Sequence, residues 1–322
     1  MSDNNSVEVP VDPSQDSTNS APVAPRLVHA IINPAAGLDL PVLRVLNSVF
    51  TQYEVEWEVF ITKNPGDAER FARASAQLGA DAVLACGGDG TVTEVACGLR
   101  GTGLPMAIMP CGTANVAALE LGVPIDITQA VELLASGQNR TRMVDMGTLN
   151  ESEFLLRVSV GAGARFVINT PRETKNRLGN LAYVLSGLNE IANLEPAHYS
   201  LTLDGLNIET DGITAYIGNS MNAGMAGTRL VQDADVSDGL LDLVLIRASD
   251  LPTLIGVATN ALLNRPQLPE PVLHWQAREI SIAADPPQPS ELDGEEHQPT
   301  PFTVRVLPKA ARIVVPPAVP SP

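Results

Sequence analysis

Two hydrophobic periods alternate along the first part of the chain. Arg26–Pro34 (RLVHAIINP) is a short apolar run that reads as a buried strand. Leu38–Phe50 has helical spacing, and Glu54–Thr62 (EVEWEVFIT) alternates as a strand does. Pro65–Leu78 is helical, with its proline at a tolerated place near the start. Asp81–Cys86 and Leu104–Pro110 read as strands; Val92–Leu99, Ala114–Leu121 and Ile127–Ser136 read as helices. Strands alternating with helices predict parallel pairing through helical crossovers. After Ser136 the pattern changes. Phe154–Val160, Tyr199–Leu203, Thr214–Gly218, Leu240–Ile246, Glu279–Ala283 and Thr303–Leu307 read as strands, with Asp204-Gly205 and Asp211-Gly212 as hairpin signals. Helices are expected near 174–193 and 250–264, and the acidic, proline-rich Pro286–Gln298 reads as a loop. Residues 1–25, rich in Ser, Asn, Asp and Pro and without an apolar period, read as a disordered tail.

Length and charge narrow this picture. The 322 residues suffice for two domains and a sizeable core. A net charge of −17 argues against a nucleic-acid partner, which needs a basic face, and against broad attachment to anionic membranes. The three cysteines, Cys86, Cys97 and Cys111, have no paired metal spacing and read as reduced thiols of a cytoplasmic protein. The N-terminus shows no signal peptide, and no apolar run is long enough to span a bilayer. A membrane, if it matters, is met at its surface.

The richest chemistry lies in Cys86-Gly87-Gly88-Asp89-Gly90-Thr91-Val92-Thr93-Glu94. A strand runs into three glycines and an aspartate, and a helix begins at once. Such a turn lets backbone approach an anion closely, and the free amides of the helix start favour it. An aspartate there tolerates phosphate only with a divalent cation between them. The turn therefore predicts nucleotide phosphates, magnesium and phosphoryl transfer. Thr91 and Glu94 also match a capping box. Asn33-Pro34-Ala35-Ala36-Gly37 and Pro110-Cys111-Gly112-Thr113-Ala114-Asn115 follow neighbouring strands, so three strand ends form one candidate site. Neither a phosphate-loop NTPase motif nor a dinucleotide-binding Gly-x-Gly-x-x-Gly is present. Asp235 and Asp238 suit either a hard cation, with a backbone carbonyl, or an ordinary Asp/Gly turn. Leu292-Asp293-Gly294-Glu295-Glu296 by itself is a solvated charge run. Thr170-Pro171-Arg172-Glu173 is a strong helix start, and Arg165, Arg172, Lys175 and Arg177 make the densest positive cluster. Leu251–Leu263 reads as a core helix in preference to a membrane-dipping one.

In this order, these motifs and Gly66-Asp67-Ala68 resemble the diacylglycerol kinase catalytic domain superfamily, in particular bacterial soluble lipid kinases related to sphingosine kinases. The resemblance runs from Arg26 to about Pro317. It implies a phosphofructokinase-like α/β domain over 26–145, a β-sandwich over 146–317 whose last strand returns to the first domain, and a short tail over 318–322. It implies ATP in the cleft, lined by Asn33, Thr62, Gly87, Gly88, Asp89, Gly90, Thr91, Val92, Thr93, Gly112, Thr113 and Asn115. Asp89 would act at the phosphates and their Mg2+; Asp235, Asp238 and the Leu240 carbonyl would form a second Mg2+ site; Glu295 would be the general base. The acceptor would be a membrane-derived neutral lipid, taken up by a cytoplasmic, peripheral protein; a homodimer and the identity of the lipid are left open. Two other readings stay open, a kinase of a soluble acceptor such as NAD and a non-catalytic sensor. The chain departs from the pattern at Ala35-Ala36, Val116 and Ser237, where many relatives carry Ser or Thr, Asp, and Asp.

Overall fold

The computed structural model describes residues 22–37, 40–169, 195–222, 229–247, 251–263 and 268–317. The Thr170–Glu173 helix start, the helix near 174–193, Arg172, Lys175 and Arg177, and residues 1–21 of the tail lie outside the described residues.

The first half follows the strand–helix alternation. The elements are β1 (Leu27–Ile32), α1 (Val42–Gln52), β2 (Glu56–Ile61), α2 (Asp67–Gln77), β3 (Ala82–Gly87), α3 (Asp89–Leu99), β4 (Met106–Pro110), α4 (Val116–Glu120) and α5 (Ile127–Ala135). The four strands pair in parallel in the order β2-β1-β3-β4. β3 and β4 are buried along their whole length, as a parallel sheet covered on both faces requires. One face packs on α1 and α5 through Leu46, Val49, Phe50, Val131 and Leu134. The other packs on α2, α3 and α4 through Ala68, Ala72, Val92, Val95 and Ala117.

The second half is antiparallel. It contains β5 (Arg140–Leu149), β6 (Ser152–Phe154), β7 (Arg157–Gly161), α6 (Ala162–Asn169), β8 (Ala197–Leu203), β9 (Leu206–Gly212), β10 (Thr214–Gly218), β11 (Leu241–Ile246), α7 (Leu251–Leu262), β12 (Val272–Ala277), β13 (Glu279–Asp285), β14 (Ser290–Leu292), β15 (Glu295–His297) and β16 (Phe302–Val315). A sheet ordered β12-β11-β10-β7-β14-β15 packs on β8, β13 and β16, and Phe154, Tyr199, Leu201, Leu243, Leu245, Ile280 and Val304 fill the space between them. This is the expected sandwich. Leu254 and Val257 of α7 pack on the outer face of the second sheet.

β16 joins the halves. Its first part pairs with β13, and its later part reaches β4 at Ile313↔Met106; β5 follows it from Leu149↔Val304 to Arg140↔Val315. A bulge between Leu307 and Ala311, with Lys309 at φ 52°, marks the change of direction. The structure corrects three expectations here. Thr303–Leu307 is only the start of a 14-residue strand. Asp211-Gly212 is no hairpin turn, because it ends β9 and the chain crosses to the other sheet as β10. Pro286–Gln298 is not all loop, since β14 and β15 form a hairpin there.

His29 is buried on β1 against Phe60, its Nδ1 has no hydrogen-bond partner among the described residues, and Glu58 stands 3.8 Å from Nε2. Burial pushes its pKa down, against the raising pull of Glu58. The unfolded chain therefore takes up this proton first as pH falls below about 6.5, and His29 subtracts stability from there down to its lower folded pKa. Urea unfolding at pH 7.5 and 5.5 is expected to show a larger loss for wild type than for His29→Leu. Equal losses would refute this role.

Candidate active site

An open α/β sheet binds ligands where its strand order reverses, beyond the strand C-termini. Here β1 leads to β2 on one side, and the chain then crosses to β3 and β4 on the other, so the crevice opens between β1 and β3. Asn33 stands at its edge. Its backbone N–H donates to the Cys86 carbonyl (3.0 Å), its Nδ2 to Thr91 Oγ1 (3.0 Å), and its Oδ1 accepts from the Ala35 amide (3.0 Å). Asn33 thus ties the first loop to the glycine turn. A cavity of about 610 Å³ opens beside it, lined by Ile32, Asn33, Leu40, Arg44, Cys86 and Cys111 among others.

The glycines are required by contact. A Cβ on Gly112 would lie 2.5 Å from Gly88 Cα, and one on Gly87 would lie 2.4 Å from Thr91 Oγ1. The turns after β3 and β4 therefore cross backbone to backbone. Asn115 shapes the second turn at φ 49°: its Oδ1 accepts from the Gly112 amide (2.9 Å) and its Nδ2 donates to the Gly112 carbonyl (2.8 Å). Thr113 is exposed on the same turn, and Thr62 is half-buried beyond β2, its amide bonded to Ile32 (2.9 Å).

Helix α3 starts earlier than expected, with Gly88 as its N-cap and Asp89 and Gly90 in its first turn. The capping box is corrected accordingly. Thr91 lies inside the helix and accepts from Asn33, while Glu94 accepts from the Ala68 amide at the start of α2 (3.0 Å). Asp89 accepts from the Ala117 amide at the start of α4 (3.0 Å). Burial pushes its carboxyl upward, against the Ala117 and Val116 amides and the charge of Arg157. Its carboxylate therefore holds α3 and α4 together. Val92 packs into the core, and Thr93 Oγ1 donates to Asp293 Oδ2 (2.8 Å).

Glu295 is exposed on β15, just beyond the Asp293-Gly294 turn. The hairpin it belongs to meets α3, the helix that begins at the glycine turn, through that Thr93–Asp293 bond.

The Asp235–Leu240 segment is less simple. Asp235 accepts from Arg142 and from Ser237 Oγ (2.7 Å), and Asp238 accepts from the Leu240 amide (2.9 Å) and from Gln276 (3.3 Å). Burial, then the neighbouring Asp242, Asp235 and Asp145, push Asp238 up to about 6 against the lowering Leu240 amide. Among the described residues no group of three or more His, Cys, Asp or Glu is arranged to hold a metal. Asp145 was not foreseen. It is buried in β5 and accepts from the Gly239 and Lys309 amides (2.6 Å each), so it braces the turn from below. Its signal in the sequence is a lone carboxylate in the apolar stretch Met143–Met146. Also unforeseen is the buried Glu120 of α4, which binds Arg229 and Ser220 of the second half.

The description of the diacylglycerol kinase catalytic domain matches residues 27–149, and that of the YegS C-terminal NAD kinase beta sandwich-like domain matches 157–315. A probable lipid kinase YegS-like of Klebsiella pneumoniae is 32% identical over 88% of this chain and 94% of its own. The probable lipid kinase YegS of an Escherichia coli strain is 31% identical over 90% of this chain and 96% of its own. A crystal structure described as a putative diacylglycerol kinase from Bacillus anthracis superposes with a TM-score of 0.78 at 25% identity, over 93% of this chain and 98% of that one. With a parallel nucleotide-type sheet, a C-terminal sandwich and relatives over nearly its whole length, the chain belongs to the diacylglycerol kinase catalytic domain family of YegS-like lipid kinases.

Proposed function

We propose that the enzyme transfers the γ-phosphoryl group of ATP to a hydroxyl of a neutral lipid, either diacylglycerol or a related glycerolipid or sphingoid base. The observation that carries this reading is the crossing of Gly88 and Gly112 beside the β1/β3 crevice, with the Glu295 hairpin tied to the helix that starts there. The crossing leaves backbone without side chains where phosphates approach, and the α3 amides favour their charge. The lipid hydroxyl gives its proton to the Glu295 carboxylate as its oxygen bonds to the γ-phosphorus. The bond from that phosphorus to the bridging oxygen breaks, and ADP leaves. Asn33 and Asn115 keep the two turns in place; Asp89 does the same for α3 and α4.

Among the described residues no helix is long and apolar enough to cross a membrane. Helix α7 carries no charged residue and exposes Ile255, which supports contact with a membrane surface. The test is transfer of labelled γ-phosphate to diacylglycerol, monoacylglycerol and sphingosine in mixed micelles, with NAD as the soluble arm. Labelling of NAD alone would overturn the lipid reading.

The family implies Mg2+. The Asp235 and Asp238 carboxylates fit it in chemistry, as hard oxygen donors near the further carboxylates of Asp145 and Asp242, although Arg142 already pairs with Asp235. They and the Leu240 carbonyl would hold the ion, which when bound neutralises this acidic turn. Ligand in hundredfold excess over its Kd stabilises a protein by about 2.7 kcal/mol. Mg2+ is thus expected to raise Tm by roughly 4 °C for a chain of 322 residues, and Asp238→Asn to lose most of that rise. An undiminished rise in the variant would place the ion elsewhere.

A further inference from the structure

The reaction described above does not use Asp293, yet its side chain joins Thr93 of α3 to the backbone of Leu155–Arg157. Its Oδ1 accepts from the Leu156 and Arg157 amides (3.2 and 2.9 Å), and its Oδ2 from the Leu155 amide (3.1 Å) and Thr93 Oγ1 (2.8 Å). Its own amide donates to the Arg157 carbonyl (3.1 Å). It sits at φ 46° in the turn of the β14–β15 hairpin, followed by Gly294 at φ 99°. The Gly294 amide donates to Glu291 Oε1 (2.7 Å). The turn is therefore fixed from both sides.

The hairpin needs such an anchor. β14 pairs with β7 at Leu292↔Val158, but among the described residues β15, which carries Glu295, pairs only with β14. Its far end meets Ser152 through His297 (3.2 Å). Its near end is held by Asp293, and Thr93 is the contact that reaches across to the helix of the glycine turn.

We propose that Asp293 is a positioning residue: through Thr93 it fixes the Glu295 hairpin to α3, so that the phosphate side and the proton-accepting side of the site move as one body. The role of Thr93 is then that of a latch, in place of the nucleotide contact its position in the motif suggests. This rests on the lipid-kinase reading of the site.

Thr93→Val removes the donor and keeps the shape; Thr93→Ser restores the donor. The measurements are kcat and KM for ATP on a lipid that wild type labels, and amide hydrogen exchange of residues 286–298. The valine variant is expected to lower kcat about tenfold, since small displacements of a reacting group cost that much or more. Its KM for ATP should stay within about twofold, because a contact outside nucleotide binding leaves KM unmoved. Exchange in the hairpin should quicken in Thr93→Val, and Thr93→Ser should restore both kcat and protection. Asp293→Asn, where it folds, should behave as Thr93→Val. A raised KM at unchanged kcat makes Thr93 a nucleotide ligand and overturns the latch, as do wild-type kinetics and exchange in Thr93→Val. If wild type labels no lipid, the lipid reading fails alone, and hairpin exchange still decides for or against the latch.

Discussion

Glu295→Gln is expected to lower lipid phosphorylation by about 10²–10⁴-fold, the usual contribution of a general base. The amide keeps the size and polarity of the side chain and removes its charge and with it its capacity to take a proton. Because Glu295 is exposed on β15, the substitution should move stability by no more than about 0.5 kcal/mol. ATP affinity should be retained. Neighbouring strand residues point to opposite faces, so Glu296 supplies the control. Glu296→Gln should phosphorylate lipid as wild type does. The pair is read by initial rates in mixed micelles, with calorimetry for ATP. Should Glu295→Gln keep wild-type turnover, the proton leaves by another route and the role given to Glu295 is wrong.

The second large effect belongs to Gly112→Ala. The new methyl would stand 2.5 Å from Gly88 Cα and 3.0 Å from Asn115 Oδ1, so it meets backbone that cannot rotate away. The turns after β3 and β4 must separate, and the cost of such overpacking is typically about 1–3 kcal/mol. Displacement of a phosphate-cradling backbone by even an ångström should reduce turnover by roughly 10². Gly256→Ala is the matched control: nothing lies within 4 Å of the added carbon, and the residue is in the interior of α7. There alanine should raise stability by up to about 1 kcal/mol and leave ATP binding unchanged. A non-hydrolysable ATP analogue in a calorimeter, together with thermal melts, separates the two. Comparable ATP binding by Gly112→Ala and wild type would show that the crossing is not the phosphate cradle.

The parts of the fold that were legible in the sequence are those decided locally. The strand–helix alternation from Arg26 to Ser136 was readable because β3 and β4 are unbroken apolar runs and α2 and α5 keep a clear apolar stripe. The Gly88/Gly112 turns were readable from composition, although not their mutual contact. What was lost depends on distant partners. Arg140–Leu149 did not read as a strand because Arg142 and Asp145 interrupt its apolar residues; their partners are Asp235 and the Gly239 and Lys309 amides, more than 90 positions away. Leu292-Asp293-Gly294-Glu295-Glu296 read as a solvated charge run because Asp293 finds its amides at 155–157. Thr91 and Glu94 matched a capping pattern, yet both answer to other elements, Asn33 and α2. The role given to Glu295 came from resemblance alone, and the spacing of Asp235 and Asp238 left a cation site and an ordinary turn both open, since an acid's chemistry depends on what faces it.

The last strand also bears on how the molecule is made. Residues 140–149 fall within the span matched by the catalytic-domain description, but their ladder partner, β16, comes at the end of the chain. While synthesis proceeds, β4 and β5 each wait with one edge unoccupied until about 315 residues have been added. Exposed strand edges of this kind recruit other chains, and pairings so remote in sequence form slowly. The nascent enzyme thus passes through a long interval in which its N-terminal half is vulnerable to self-association, and a fragment cut before β16 would remain in that condition.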